Sequence, residues 1–349
     1  MTAFVVKENG EYKLLDTNDK PNSIALEMLD RIKSGDLQGA KVLLDWLRED
    51  VHLEGGDDPL GGPVFPRFWT KGQAADARKM QLAAASILVA TKPTAAQGVV
   101  LLQAAQKDAV SEREKTNILL ALVEGYSLLD NFAGLFDVSS ALLKQEPESK
   151  LAFTETVQAL LGLGRYDEAI GLADERLKLL DGDFDAQRMK MVIESTRGNY
   201  AAAIALGRKM VDQGKQDAEI FNEIAWFSLF AGKVDDAGIA AAIKATQLAN
   251  DNPHILHTLA CLYAETGKTK EARDLLLRSM DDLNLDEPDD DYWYAFGRIA
   301  EQYGERETAI ADYRKLEKPK EILALPTSSY RLAQTRLRVL VAPSQPVAN

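Results

Sequence analysis

The sequence predicts an all-α protein: a solenoid of antiparallel helix hairpins, closed by a C-terminal capping helix. Composition is the first reason. The 349 residues include 47 Ala and 47 Leu, two strong helix formers, while aromatic residues supply only 7% and β-branched runs are scarce. The second reason is a recurring string, a Gly followed five residues later by an Ala: Gly164 and Ala169, Gly198 and Ala203, Gly232 and Ala237, Gly267 and Ala272, Gly304 and Ala309. These glycines stand 34, 34, 35 and 37 residues apart, a period that marks stacked helix-pair repeats. The third is the apolar spacing upstream of each Gly. Phe221, Ile224, Ala225 and Ser228, and likewise Leu256, Leu259, Ala260 and Tyr263, recur every three or four residues as one helical face. Each Gly should end its helix in the left-handed conformation, and each Ala should let the next helix approach closely.

In chain order, residues 1–20 come first. The stretch 4–15 alternates as two short strands about Asn9-Gly10, a hairpin that is marginal alone and reads as the tail of a preceding domain. Residues 21–115 should hold degenerate hairpins. One covers 22–49 and packs through Met28, Leu44 and Leu47; another joins helices over 74–90 and 94–108, parted at Pro93. Between them the Gly- and Pro-rich loop 53–70 ends in Phe65, Phe68 and Trp69, which either pin it to the helices or form a lip for a partner. Six repeats should follow over 116–149, 150–183, 184–217, 218–252, 253–289 and 290–316. Residues 317–349 then supply the capping helix and a tail, with Ser328 or Ser329 as N-cap and a charged outer face that suits a solenoid end.

The repeats resemble the tetratricopeptide repeat. Trp293, Phe296-Gly297, Ala300, Gly304, Ala309 and Tyr313 carry that pattern best, followed by Leu256, Leu259-Ala260, Tyr263, Gly267, Ala272 and Leu276. One period upstream of the glycine series, Leu119, Leu122, Tyr126, Leu135 and Pro147 fit, with Asp130 in place of the Gly. The copy at 184–217 departs most, because Gln187 and Lys190 occupy apolar positions, so its first helix should be the loosest. The resemblance covers about 21–340, firmly 116–316. It implies a right-handed superhelical solenoid with a concave groove lined by the first helix of each pair. Steps of 100° then place Asn117 and Glu124, Thr154 and Gln158, Arg188, Asn222, Trp226 and Phe230, His254 and His257, and Tyr294 and Arg298 opposite the packing stripe. Large aromatics, Arg and amides are what protein-recognition surfaces favour. Trp226 with Phe230 is the strongest signal; Trp226 either anchors a partner or fills the narrow inside of the curve. Some members of the family grip a C-terminal carboxylate with Lys, Asn and Arg. No two successive repeats here supply that set.

The remaining features exclude more than they propose. A formal charge of −13 argues against nucleic acid or an anionic membrane as the main partner. The single Cys261 excludes an internal disulfide and a Cys-based zinc site. No apolar run approaches the ~20 residues of a membrane span, and residues 1–7 do not read as a signal peptide. A soluble protein is expected, cytoplasmic by default, and periplasmic or exported if it is part of a larger secreted protein. No nucleotide, zinc-protease or serine-hydrolase motif occurs, and the Gly-rich loop 55–62 lacks the Lys and hydroxyl of a phosphate cradle. Asp57-Asp58 reads as a solvated turn. His254 and His257 share a helix face with Cys261 a turn further on, but two imidazoles do not make a metal site, and His52 is distant in sequence. They read as groove contacts. The acidic run 281–291 sits before the helix of Trp293, where negative charge favours the helix N-terminus. The expected function is a non-enzymatic scaffold, without metal or cofactor, that binds a protein or peptide in its groove. The alternatives are an accessory domain of an enzyme whose catalytic part precedes residue 1, and an architectural spacer that self-associates.

Overall fold

The computed structural model describes residues 3–8, 11–17, 20–49 and 64–342. The chain divides into two compact units, residues 1–165 and 166–349. No helix among the described residues is long and apolar enough to cross a membrane.

The first unit opens with antiparallel strands β1 (Ala3–Glu8) and β2 (Glu11–Thr17), Lys7 facing Tyr12 and Val5 facing Leu14, with a register irregularity between Phe4 and Val5. The Asn9-Gly10 turn lies outside the described residues, as do His52 and Asp57-Asp58. Helices α1 (Pro21–Ser34) and α2 (Leu37–Glu49) form the first hairpin and bury Met28, Leu44 and Leu47. After the short α3 (Phe65–Phe68) come α4 (Ala77–Val89) and α5 (Lys92–Lys107). Pro93 falls in the first turn of α5, where its missing N–H would have had no helical partner. Helices α6 (Glu112–Leu128), α7 (Phe132–Gln145) and α8 (Lys150–Gly162) complete this unit. Phe68 and Trp69 are buried, and the Trp69 indole donates to Asp45 Oδ1 at 2.8 Å. These aromatics therefore pin the chain to the helices.

The second unit contains α9 (Tyr166–Leu179), α10 (Phe184–Thr196), α11 (Tyr200–Asp212), α12 (Ala218–Ser228), α13 (Asp236–Leu248), α14 (Pro253–Glu265), α15 (Thr269–Asp282), α16 (Asp290–Gln302) and α17 (Arg306–Lys315). A 3-10 turn, Ile322–Thr327, leads into α18 (Ser329–Val341), which Ser328 caps by accepting from the Arg331 N–H. Each hairpin packs on the next. Helix α18 packs against α16 and α17 as α16 packs against α14 and α15.

The period has a backbone cause. Gly164, Gly198, Gly232, Gly267 and Gly304 all adopt positive φ. At Gly198 (φ 88°) the Asn199 N–H reaches back to the Glu194 carbonyl at 2.8 Å, which satisfies an orphan carbonyl at the end of α10. Asp130 (φ 52°) adopts the same conformation where the series lacks its Gly, and the Asn131 N–H reaches Tyr126 O at 2.9 Å. Aspartate tolerates the left-handed region better than most residues. The small residue of the motif has an equally local cause: a Cβ on Gly297 would lie 2.6 Å from the Tyr313 ring, so only Gly lets that ring lie on α16.

One position corrects the expected register. Ala169, Ala203, Ala272 and Ala309 are fully buried at the hairpin contact, but Ala237 is exposed. Helix α13 starts four residues after its Gly, rather than two, so Gly238 turns inward instead. A Cβ there would lie 2.4 Å from Ser228 Oγ.

Candidate functional site

The second unit assembles a continuous run of aromatic rings from four helices. Tyr200 opens α11 directly after the left-handed turn and stacks on Phe230 at 5.1 Å, just beyond the end of α12. Phe230 meets Trp226 edge-on at 5.7 Å, one turn earlier in the chain. Trp226 lies 5.9 Å from His257 on α14, and His257 lies 4.8 Å from Tyr292 on α16. Trp226, His257 and Tyr292 come from successive first helices, α12, α14 and α16, and lie progressively nearer the helix start. Trp226 and Phe230 are half-buried; Tyr200, His257 and Tyr292 are buried.

A later part of the same chain lies on this run. The Tyr200 hydroxyl donates to Pro326 O at 2.6 Å, and the Trp226 indole N–H donates to Thr327 O at 2.8 Å. Arg331, in the first turn of α18, also donates to Pro326 O at 3.0 Å and hydrogen-bonds the Tyr200 hydroxyl. The turn Ile322–Thr327 also lies against α10. Two successive backbone carbonyls are thus held by side chains far earlier in the sequence. Leu325, Pro326 and Thr327 are half-buried there.

The other expected groove residues have varied surroundings. Arg188 is committed to α12, with Glu219 at 2.7 Å and Glu223 at 2.8 Å. Burial pushes the Glu223 carboxyl up, against the opposing effect of Arg188. Among the described residues nothing hydrogen-bonds the buried Oδ1 of Asn222. His254 is exposed at the start of α14. His257 is buried, 3.2 Å from Asp291 O and 3.5 Å from Cys261 Sγ. Burial pushes the imidazole down and the thiol up. Among the described residues no three His, Cys, Asp or Glu side chains group to hold a metal ion. Glu124 (exposed) and Gln158 (half-buried) belong to the first unit. So does Asn117, which is buried with its amide toward Arg67 O.

Tyr294 and Arg298 require correction, because neither is available to a partner. Tyr294 is 2% exposed and donates to Glu265. Arg298 is 6% exposed, with Glu265 at 2.6 Å and Glu301 at 2.7 Å. Burial works against its charge, but the two carboxylates outweigh it and raise its pKa. Glu301 is also bound by Arg336 of α18 and by the Tyr313 hydroxyl at 2.9 Å. This network ties the last helix to the stack. Burial alone would push Glu301 up, yet the hydrogen bonds from Arg336 and Arg298 hold it below its ordinary value of 4.5. A carboxylate with a lowered folded pKa contributes stability that is complete above the unfolded value and is lost as pH falls through the folded one. Amide exchange in α18, corrected for its intrinsic pH dependence, should therefore be unchanged from pH 7 to about 5 and accelerate below about 4.5. Protection constant down to pH 3 would contradict this assignment.

Sequence reasoning missed Tyr200 and Arg331 as site residues. Tyr200 was visible only as part of the repeat string after Gly198, and Arg331 only as part of the charged face of the capping helix.

No family model and no curated protein matches the chain. Among solved structures, a tetratricopeptide repeat protein from Parabacteroides merdae ATCC 43184 is 16% identical over 91% of this chain and 100% of its own, with a TM-score of 0.43. MamA from Desulfovibrio magneticus RS-1 is 18% identical over 54% of this chain and 97% of its own, with a TM-score of 0.34. YrrB, a repeat protein of the same kind with an unusual peptide-binding site, is 14% identical over 57% and 96%, with a TM-score of 0.39. These likenesses are weak. The repeat type rests on this chain's own helix pairs, glycine conformations and motif residues.

Proposed function

We propose that this chain, a stack of tetratricopeptide-type hairpins, is a non-enzymatic scaffold that holds a peptide segment of a partner protein on the aromatic run of its second unit. The observation that carries this reading is the seating of Pro326 and Thr327: Trp226 and Tyr200 hold their carbonyls at 2.8 and 2.6 Å. A surface that grips backbone carbonyls and offers aromatic faces beside them has the chemistry of peptide recognition.

Trp226→Ala should weaken a captured partner by about 2 kcal/mol or more, roughly 30-fold, because aromatic anchors dominate such interfaces. Lys270→Ala, exposed on α15, should change binding by less than twofold. Titration of the partner into both variants, with a far-UV spectrum as the folding control, makes the comparison. Equal losses from both, or none from Trp226→Ala, would move the site elsewhere.

A further inference from the structure

We infer that the aromatic run takes proline-containing segments in a tight turn, and that Leu325-Pro326-Thr327, the end of a 3-10 turn, is its intramolecular stand-in. This rests on the peptide-binding reading above and adds the class of peptide. Two observations carry it. First, the groups that hold the seated segment are donors: the Trp226 indole N–H, the Tyr200 hydroxyl and the Arg331 guanidinium. A proline offers a carbonyl and no N–H, so such a segment asks its site for donors more than acceptors. Second, Trp226 and Phe230 are only half-buried and meet edge-on, which leaves aromatic surface on which an apolar ring such as that of proline can pack. Because the chain's own Pro326 segment occupies the site, a partner competes with it. Its apparent affinity is therefore reduced by the fraction of time that segment is docked.

The test uses the full chain and a labelled peptide of three Leu-Pro-Thr units, with three Leu-Ala-Thr units as control, followed by fluorescence anisotropy. In the full chain carrying Leu325→Gly and Pro326→Gly, where the docked segment is loosened, the proline peptide should bind about tenfold more tightly than to the intact chain. Adding Trp226→Ala should then weaken it at least 30-fold. The alanine peptide should bind at least tenfold more weakly than the proline peptide. If the glycine variant does not fold, the intact chain is saturated with peptide instead, and amide exchange in residues 322–331 should rise. Equal binding of both peptides would overturn the proline class while leaving a Trp226-dependent partner, and hence the scaffold reading, intact. Failure of the proline peptide to bind either chain, or binding indifferent to Trp226→Ala, would also overturn the inference.

Discussion

Arg298→Met should lower the stability of the 166–349 unit by about 3–5 kcal/mol, the usual cost of removing one partner from a buried ion pair. The methionine fills much of the space but leaves Glu265 and Glu301, each about four-fifths buried, without the cation that lies 2.6 and 2.7 Å away. Arg336 still reaches Glu301 from α18; Glu265 keeps a hydrogen bond from Tyr294 but no guanidinium. Arg298→Lys should recover only part of the loss, because an ammonium cannot face both carboxylates as the planar guanidinium does. Urea unfolding of the full chain, read by amide exchange in α14–α17, measures the change. A loss below 1 kcal/mol would mean that water solvates these carboxylates.

Ala272→Phe should be comparably damaging, at about 3 kcal/mol or more, the upper end for overpacking a filled core. Ala272 is fully buried in a cluster with Leu276, Leu259 and Ala260, where α14 and α15 meet. No small rotation frees a site that must lie close to the opposing helix. The effect should also be local, since each repeat packs on its neighbours rather than on a common centre. Exchange should rise first in α14–α16 and leave α4–α6 unchanged. A uniform rise along the chain would contradict a stack of separable hairpins.

Much of the fold could be read from sequence because its period is written in residues the backbone demands. Glycines at the left-handed turns and alanines at the hairpin contacts tolerate few substitutes, so they recur where apolar residues vary. Even Asp130, the one departure within that pattern, falls on the required conformation. The misreading at Ala237 has the same origin: the spacing from Gly198 to Gly232 is regular, and nothing in it reveals that α13 begins two residues late. Trp226 and Phe230 were identifiable because the packing stripe of α12 does not need them. Tyr294 and Arg298 were misplaced because angular steps describe one helix at a time. They cannot register Glu265 on the preceding first helix, or α18, whose Arg336 shares Glu301 with Arg298. The seated Pro326 segment was invisible for a different reason: its contacts are backbone carbonyls, which carry no residue signature.

The distance along the chain between Tyr200 and Pro326 sets an order of events during synthesis. They are 126 residues apart, so the hydroxyl–carbonyl contact waits until the ribosome has added that length. At about 5–20 residues per second this takes roughly 6–25 s, whereas helices and short loops form in microseconds. Newly made protein thus passes through an interval in which α10–α14 are folded while Trp226, Phe230 and Tyr200 face water uncovered. A nascent chain should be most open to a partner, or to a chaperone, in that interval, and the arrival of Pro326 and Thr327 ends it.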